Sequence, residues 1–211
     1  MNMKKRTITL KRKTKETDIR LKINLDGTGK SAVDTGIPFL DHMIESFSKH
    51  GLFDIMLSAE GDLHVDSHHT NEDVAITLGD AFKAALGDKK CILRFGDFRA
   101  PLDEALSGVR VSIDLSGRGS CHFHTHAKTK WIDNPALRLK HVVKGYAFSD
   151  MKHFFESFAR HSGTTLHVDF IAGDQSHHVI EATFKAFAKA MGSAVSLNAL
   201  SRGIPSTKGR L

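Results

Sequence analysis

The sequence predicts an α+β protein built from two homologous two-layer α/β halves, residues 1–95 and 96–211, packed as one compact unit. Three observations carry that expectation. The order Ser-His-His-x-x-Glu occurs twice, at Ser67-His68-His69-Thr70-Asn71-Glu72 and at Ser176-His177-His178-Val179-Ile180-Glu181, each time at the head of an apolar helical pattern. An upstream segment repeats as well: His42 to His50 and His153 to His161 agree at five of nine positions without a gap. The spacing between segment and motif is similar, 26 residues from His42 to His68 and 24 from His153 to His177. Among 14 histidines a His-His pair arises easily by chance, but glutamate occurs only seven times, and its return at the same offset argues for duplication.

In chain order, Arg6 to Arg12 and Asp18 to Leu25 read as strands, the second because Ile19, Leu21, Ile23 and Leu25 alternate with polar residues. Asp26-Gly27 signals a hairpin with Ser31 to Asp34 as its returning arm. Leu40, Met43, Ile44 and Phe47 have helical spacing, and Gly51 reads as the stop. Strands are expected at Phe53 to Ser58 and Leu63 to Asp66. A helix follows, with the buried stripe Val74, Ala75, Leu78, Ala81, Phe82 and Ala85, closed by Gly87. The pattern restarts near Phe95, with strands at Val109 to Leu115 and Cys121 to Ala127 and a longer connection from Lys128 to Gly145. A helix containing His153, a strand at Thr165 to Phe170, and a last helix with stripe Ile180, Phe184, Phe187 and Met191 complete the second half. Glu181 to Gly192 is shorter than Glu72 to Gly87, which predicts a final helix one turn shorter than its counterpart.

With 40% hydrophobic and 26% charged residues, the chain can bury a sizeable core. No run approaches the roughly 18 apolar residues of a membrane helix, and the basic start has no apolar segment behind it, so a cytoplasmic protein without membrane contact is expected. Cys91 and Cys121 read as reduced structural thiols. The net charge of +6 favours an anionic partner. An RNA-binding module is the rival reading, but aromatic residues outside the helix stripes are few and no RNA motif is present.

Successive residues on a helix diverge by about 100°, so His68 and His69 address two different metals more naturally than one, as do His177 and His178. Residues three or four apart do meet, which lets Glu72 and Glu181 share sites with these histidines. With His42 and His153 added, six imidazoles and two carboxylates divide into two metals, each with positions left for substrate. Arg94, Arg118, Ser206 and Lys208 fall at turn-like positions suited to a phosphate. His122, His124 and His126 would share one strand face, read as an exposed polar face because no further ligand is paired with them.

Phe39-Leu40-Asp41-His42-Met43, Asp66 to Asp73, Ser116-Gly117-Arg118, Ser176 to Glu181 and Pro205-Ser206-Thr207-Lys208-Gly209 together resemble imidazoleglycerol-phosphate dehydratase, from about Arg12 to the C-terminus. The resemblance implies a lyase of histidine biosynthesis that converts imidazole glycerol phosphate to imidazole acetol phosphate through an imidazolate held by two Mn²⁺ per active site. It implies that each half is a four-stranded sheet with two helices, a fold also found in ribosomal proteins, and that 24 subunits assemble with active sites between them, without nucleic acid. The metal ligands carried over are His42, His68, His69, Glu72, His153, His177, His178 and Glu181. The substrate contacts are Glu16, His50, Arg94, Arg118, Ser206 and Lys208. Glu16 enters as the candidate acid/base, and the catalytic set is Glu16, His42, His69, Glu72, His178 and Glu181. Ser67, Ser176 and Gly119 depart from the usual pattern.

Overall fold

Alternation of buried Ile19, Leu21 and Ile23 with exposed Arg20 and Lys22 makes β2 (Thr17–Asn24) a strand with one face in the core. The computed structural model describes residues 5–113, 118–126, 142–143, 145–201 and 203–207. β1 (Thr7–Lys13) precedes β2; β3 (Ser31–Asp34), α1 (Pro38–Gly51), β4 (Asp54–Gly61) and α2 (His68–Leu86) follow. β2 lies antiparallel between β1 and β4, and β3 joins the far edge of β4 in parallel, giving the order β1-β2-β4-β3. The second half contains β5 (Phe95–Leu102), β6 (Ala105–Ile113), β7 (Ser120–Thr125), the short antiparallel pair β8 (Val142–Val143) and β9 (Tyr146–Ala147), α3 (Phe148–Ser162), β10 (Thr164–Ala172) and α4 (Ser176–Val195). Its main sheet runs β5-β6-β10-β7, strand for strand the order of the first. The fold is therefore α+β, two four-stranded mixed sheets with two helices each.

Several expectations are corrected. Ser31 to Asp34 does not return along β2 as a hairpin arm; it pairs in parallel with β4, and the crossover between the two is α1. The Asp26-Gly27 loop is instead organised by Asp54, whose carboxylate accepts the N–H groups of Thr28 and Lys30 at 2.8 and 3.1 Å. Leu63 to Asp66 is a turn rather than a strand: Val65 N–H donates to Asp62 O, and both Leu63 and Val65 are exposed. Gly51 lies inside α1, and Leu52 takes the left-handed cap at φ 60°. α4 is not a turn shorter than α2 but spans 20 residues against 19, with Gly192 inside it. Leu115, Ala127 and most of the connection from Lys128 to Gly145 lie outside the described residues.

Both glycines sit at a helix crossing. α1 packs on α4 and α2 on α3, so each helix meets one from the other half. A Cβ on Gly192 would stand 3.1 Å from Gly51 O, and one on Gly51 would stand 3.1 Å from Ala188 O. Gly79 has the same function in α2, where a Cβ would come within 2.8 Å of Phe158 O and 2.9 Å of Ser162 N in α3. The space between the helices is filled by phenylalanines from both halves: Phe47 stacks on Phe187 at 4.8 Å, Phe82 meets Phe158 edge-on at 5.5 Å, and Phe158 meets Phe187 at 5.1 Å. One hydrophobic core therefore contains residues of both repeats.

A Gly79→Ala variant tests the crossing. Alanine in an exposed helix would gain about 0.5–1 kcal/mol, but overpacking against atoms fixed in a neighbouring backbone costs about 1–3 kcal/mol. A net loss of about 1–2 kcal/mol in urea-induced unfolding is expected; an unchanged or higher midpoint would contradict the contact.

Candidate metal centre

The two long helices begin at the duplicated motif. Asp66 accepts the N–H of His68 at 2.8 Å, and the chain enters α2 with His68, His69 and Glu72 in its first turns. α4 starts one residue earlier relative to its motif, at Ser176. Which histidine faces which partner is then set by helical rotation and by the crossings.

The crossing of α1 on α4 brings His42 to His177 and Glu181. Their ligand atoms all lie within 4.8 Å of one another. His42 Nε2 is 3.6 Å and His177 Nε2 3.2 Å from the same oxygen, Glu181 Oε2. Donors at about 2.1 Å from a metal are separated by roughly 3 Å, so little contraction is needed to close on an ion. The edge of Phe39 packs at 5.1 Å against His177 and limits its rotation. Burial alone would raise the Glu181 carboxyl, but Lys185, aided by His42 and His177, outweighs it and holds the group below its usual range, in the charged form a metal needs.

The crossing of α2 on α3 holds the corresponding residues, with the halves exchanged, in a more open arrangement. His153 of α3 lies with its ring 5.0 Å from that of His68, and His68 Nε2 is 4.0 Å from Glu72 Oε2. Each set thus takes one imidazole from one half and an imidazole with its carboxylate from the other.

His69 and His178 leave these sets. Helical neighbours diverge by about 100°, and the rings of His69 and His178 stand 78° and 84° from those of His68 and His177. Each is held through Nδ1 by a carboxylate, His69 by Asp62 at 2.9 Å and His178 by Glu104 at 2.7 Å. That bond raises the pKa of His69, against the opposite effect of burial, with Glu16 adding to it. The matching bond to His178 lowers Glu104 to about 2. A carboxylate on Nδ1 fixes the tautomer and directs Nε2 away from it, the arrangement metal-binding histidines commonly use; in His178 that nitrogen stands 3.8 Å from Asp103 Oδ2. The donor set and its supports fit two divalent transition-metal ions.

The remaining candidates divide. Glu16, in the turn between β1 and β2, reaches to 3.9 Å of His69. His50 ends α1 beside Lys185 and Lys189, and burial with those two charges lowers its pKa. Lys185 was absent from the sequence reading; its signal was the i,i+4 spacing to Glu181, to which its Nζ bonds at 2.8 Å. Asp62 and Glu104 were likewise missed, because their sequence neighbourhoods carry no motif. Arg94 and the Ser206 segment meet elsewhere: Arg94 Nη1 donates to Pro205 O at 2.9 Å, while its backbone N–H bonds Ala194 O at the far end of α4. From Ala194 to Glu181 is about 20 Å along the helix. Arg118 is exposed just before β7. Lys208 lies outside the described residues.

Asp62→Asn and Glu104→Gln, made separately, are expected to weaken divalent-metal affinity by roughly 10–100-fold without altering helix content. Calorimetric titration of metal into the metal-free protein, with circular dichroism alongside, checks this.

The chain was then compared with known proteins. The family model for imidazoleglycerol-phosphate dehydratase matches residues 35–191. Curated relatives include the chloroplastic imidazoleglycerol-phosphate dehydratase of Pisum sativum, 51% identical over 96% of this chain and 68% of that one. The enzyme of Thermoanaerobacter sp. (strain X514) is 48% identical over 98% of this chain and all of its own. Among solved structures, the Pyrococcus furiosus enzyme in complex with (S)-C348 superposes with a TM-score of 0.77 at 32% identity, covering 96% of this chain and 100% of that one. The Staphylococcus aureus subsp. aureus N315 enzyme gives 0.75 at 30% identity, covering 91% and 99%. With the duplicated ligand sets and the matching fold, these similarities establish that the chain belongs to the imidazoleglycerol-phosphate dehydratase family.

Proposed function

We propose that this chain is a metal-dependent hydro-lyase of histidine biosynthesis that dehydrates imidazole glycerol phosphate to imidazole acetol phosphate, working in the cytoplasm as a homo-oligomer of 24 subunits. The observation that carries the reading is the duplicated His-His-Glu set, His42, His177 and Glu181 gathered at one helix crossing and His68, His153 and Glu72 at the corresponding positions of the other, each with a second imidazole beside it.

The proton to be removed sits on a carbon that no carbonyl activates, so a side-chain base alone would face a large barrier. Two Mn²⁺ ions, when bound by these eight residues, would hold the imidazole ring as its anion and let the ring accept the electron pair as the hydroxyl departs. The chain's own groups do the rest. Glu16, beside His69, is placed to move a proton at the edge of the centre. Lys185 bonds Glu181, and with Lys189 it gives this centre a cationic side, next to His50, for an anionic substrate.

Separation of functional groups supports shared active sites. Arg94 and Ser206 are the phosphate candidates among the described residues that the fold ties together, yet they lie about 20 Å along α4 from Glu181, beyond the reach of one small substrate. His69 and His178 similarly point out of their own chain's ligand sets. A neighbouring subunit that offers its Arg94 and Ser206, and that receives His69 or His178, completes the site.

Metal-free protein incubated with imidazole glycerol phosphate should form the acetol phosphate only after Mn²⁺ is added, and His69→Ala should abolish that response; Mn²⁺-independent turnover, or none at all, would sink the proposal. For the shared site, Arg94→Ala and Glu181→Gln chains should each be inactive, and co-assembly of the two should restore activity. No recovery in verified mixed oligomers would confine the site to one chain.

A further inference from the structure

The outer face of the second sheet carries a separate group of histidines that the candidate metal centre does not use. His122 and His124 lie two residues apart on β7, on one face of the strand, and both are exposed. His167 on the parallel neighbour β10 is in register with His122, and Asp169 with His124. The sequence pattern had shown three imidazoles without a further partner; the strand pairing supplies a fourth imidazole and a carboxylate.

Their geometry is close to that of a metal site. His124 Nε2 and His167 Nδ1 are 2.9 Å apart with parallel rings, while the ring of His122 stacks on His167 at 4.8 Å. Nitrogens that share a tetrahedral zinc at 2.0–2.1 Å are separated by roughly 3.3 Å, so the His124–His167 pair has to open by about 0.4 Å, release the proton it shares and turn both lone pairs toward the ion. His122 is turned to Ser120 Oγ at 3.2 Å, and as an exposed side chain it can rotate away from that bond. Two imidazoles at i and i+2 on one strand, separated by about 6.6 Å, with a third on the adjacent strand about 4.8 Å across, form a three-sided basket. On the same face Asp169 is paired with Arg110, and His126 Nε2 stands 3.9 Å from Asp169 Oδ1.

The geometry points to a second metal site on this sheet face, distinct from the dehydratase centre, in which His122, His124 and His167 bind one zinc-like transition ion and water or Asp169 fills the fourth position. Imidazole donors without thiolate suit zinc, nickel and copper and exclude calcium and magnesium. The face is built from the second repeat alone: the register partners of β3 on β4 are Ile55, Met56, Leu57 and Ser58, and β3 itself, Ser31 to Asp34, has no histidine.

Equilibrium dialysis of the full-length chain against buffered Zn²⁺ tests the site by the number of ions bound per chain. The unmodified protein should bind one more tight Zn²⁺ than His124→Gln or His167→Gln. Because losing a supporting partner already weakens a site roughly 10–100-fold, loss of a ligand should weaken that one step by at least about 100-fold. His68→Gln, which alters the other centre, should leave the step in place. His124 is exposed, so its variant keeps the test valid even if His167→Gln disturbs the sheet. Equal Zn²⁺ stoichiometry and affinity in the unmodified and His124→Gln proteins would overturn the proposal, as would loss of the same step in His68→Gln.

Discussion

The candidate centre depends on two helix crossings between the repeats. Gly79 lets α2 touch the backbone of α3, and Gly51 with Gly192 does the same for α1 and α4. Side chains at these contacts would hold the axes farther apart, since helix separation follows the residues at the crossing. His42 could then no longer stand 3.6 Å from Glu181, nor the ring of His153 5.0 Å from that of His68. Neither repeat holds a complete ligand set, so the metal chemistry and the single phenylalanine core share one origin in the packing of one half against the other.

Adjacent histidines become useful only in that frame. A helix turns its neighbouring residues apart, which sends His68 and His69, and likewise His177 and His178, to different partners. One member joins the set at the helix crossing, while the other is held away from it by Asp62 or Glu104. These carboxylates restrict the ring and its tautomer before any ion arrives, which lowers the entropy lost when the site closes. They also make ion binding compete with a proton at His69, whose pKa Asp62 raises.

The helices were legible in the sequence because an apolar stripe of period 3.6 over three or more turns specifies both the element and its buried face: Val74 to Ala85 and Ile180 to Met191 are buried as read. The eight candidate ligands were legible because duplication marked them. Pairing was not. Ser31 to Asp34 has the composition of a strand, but a period of two says nothing about which neighbour it joins or in which direction, and the nearby Asp26-Gly27 favoured the wrong one. β5 was not picked out because Gly96 and Pro101 read against a strand; Gly96 is there because a Cβ would collide with Ala190 O of α4. Gly51 and Gly192 looked like helix stops because glycine serves both for left-handed caps and for close helix contacts, and only the fold tells the two apart. Asp62, Glu104 and His167 act across distances that no local pattern records.

Duplication also predicts equality, and the structure departs from it where substrate charge matters. Lys189 stands eight residues after Glu181, as Asp80 stands eight after Glu72. In the α2–α3 crossing, Asp80 bonds His161 at 3.1 Å. In the equivalent α1–α4 crossing, His50 lies beside Lys185 and Lys189 instead, and burial together with those charges lowers its pKa. The two ligand sets are therefore alike in donor type and opposite in the charge beyond them. A symmetric imidazole ring would not distinguish them, but a molecule with a ring at one end and a phosphate at the other would. Under the proposed function its dianionic end would be drawn to the lysine side rather than the aspartate side, so the divergence of the repeats would favour one of the two directions that the shared ligands alone leave open.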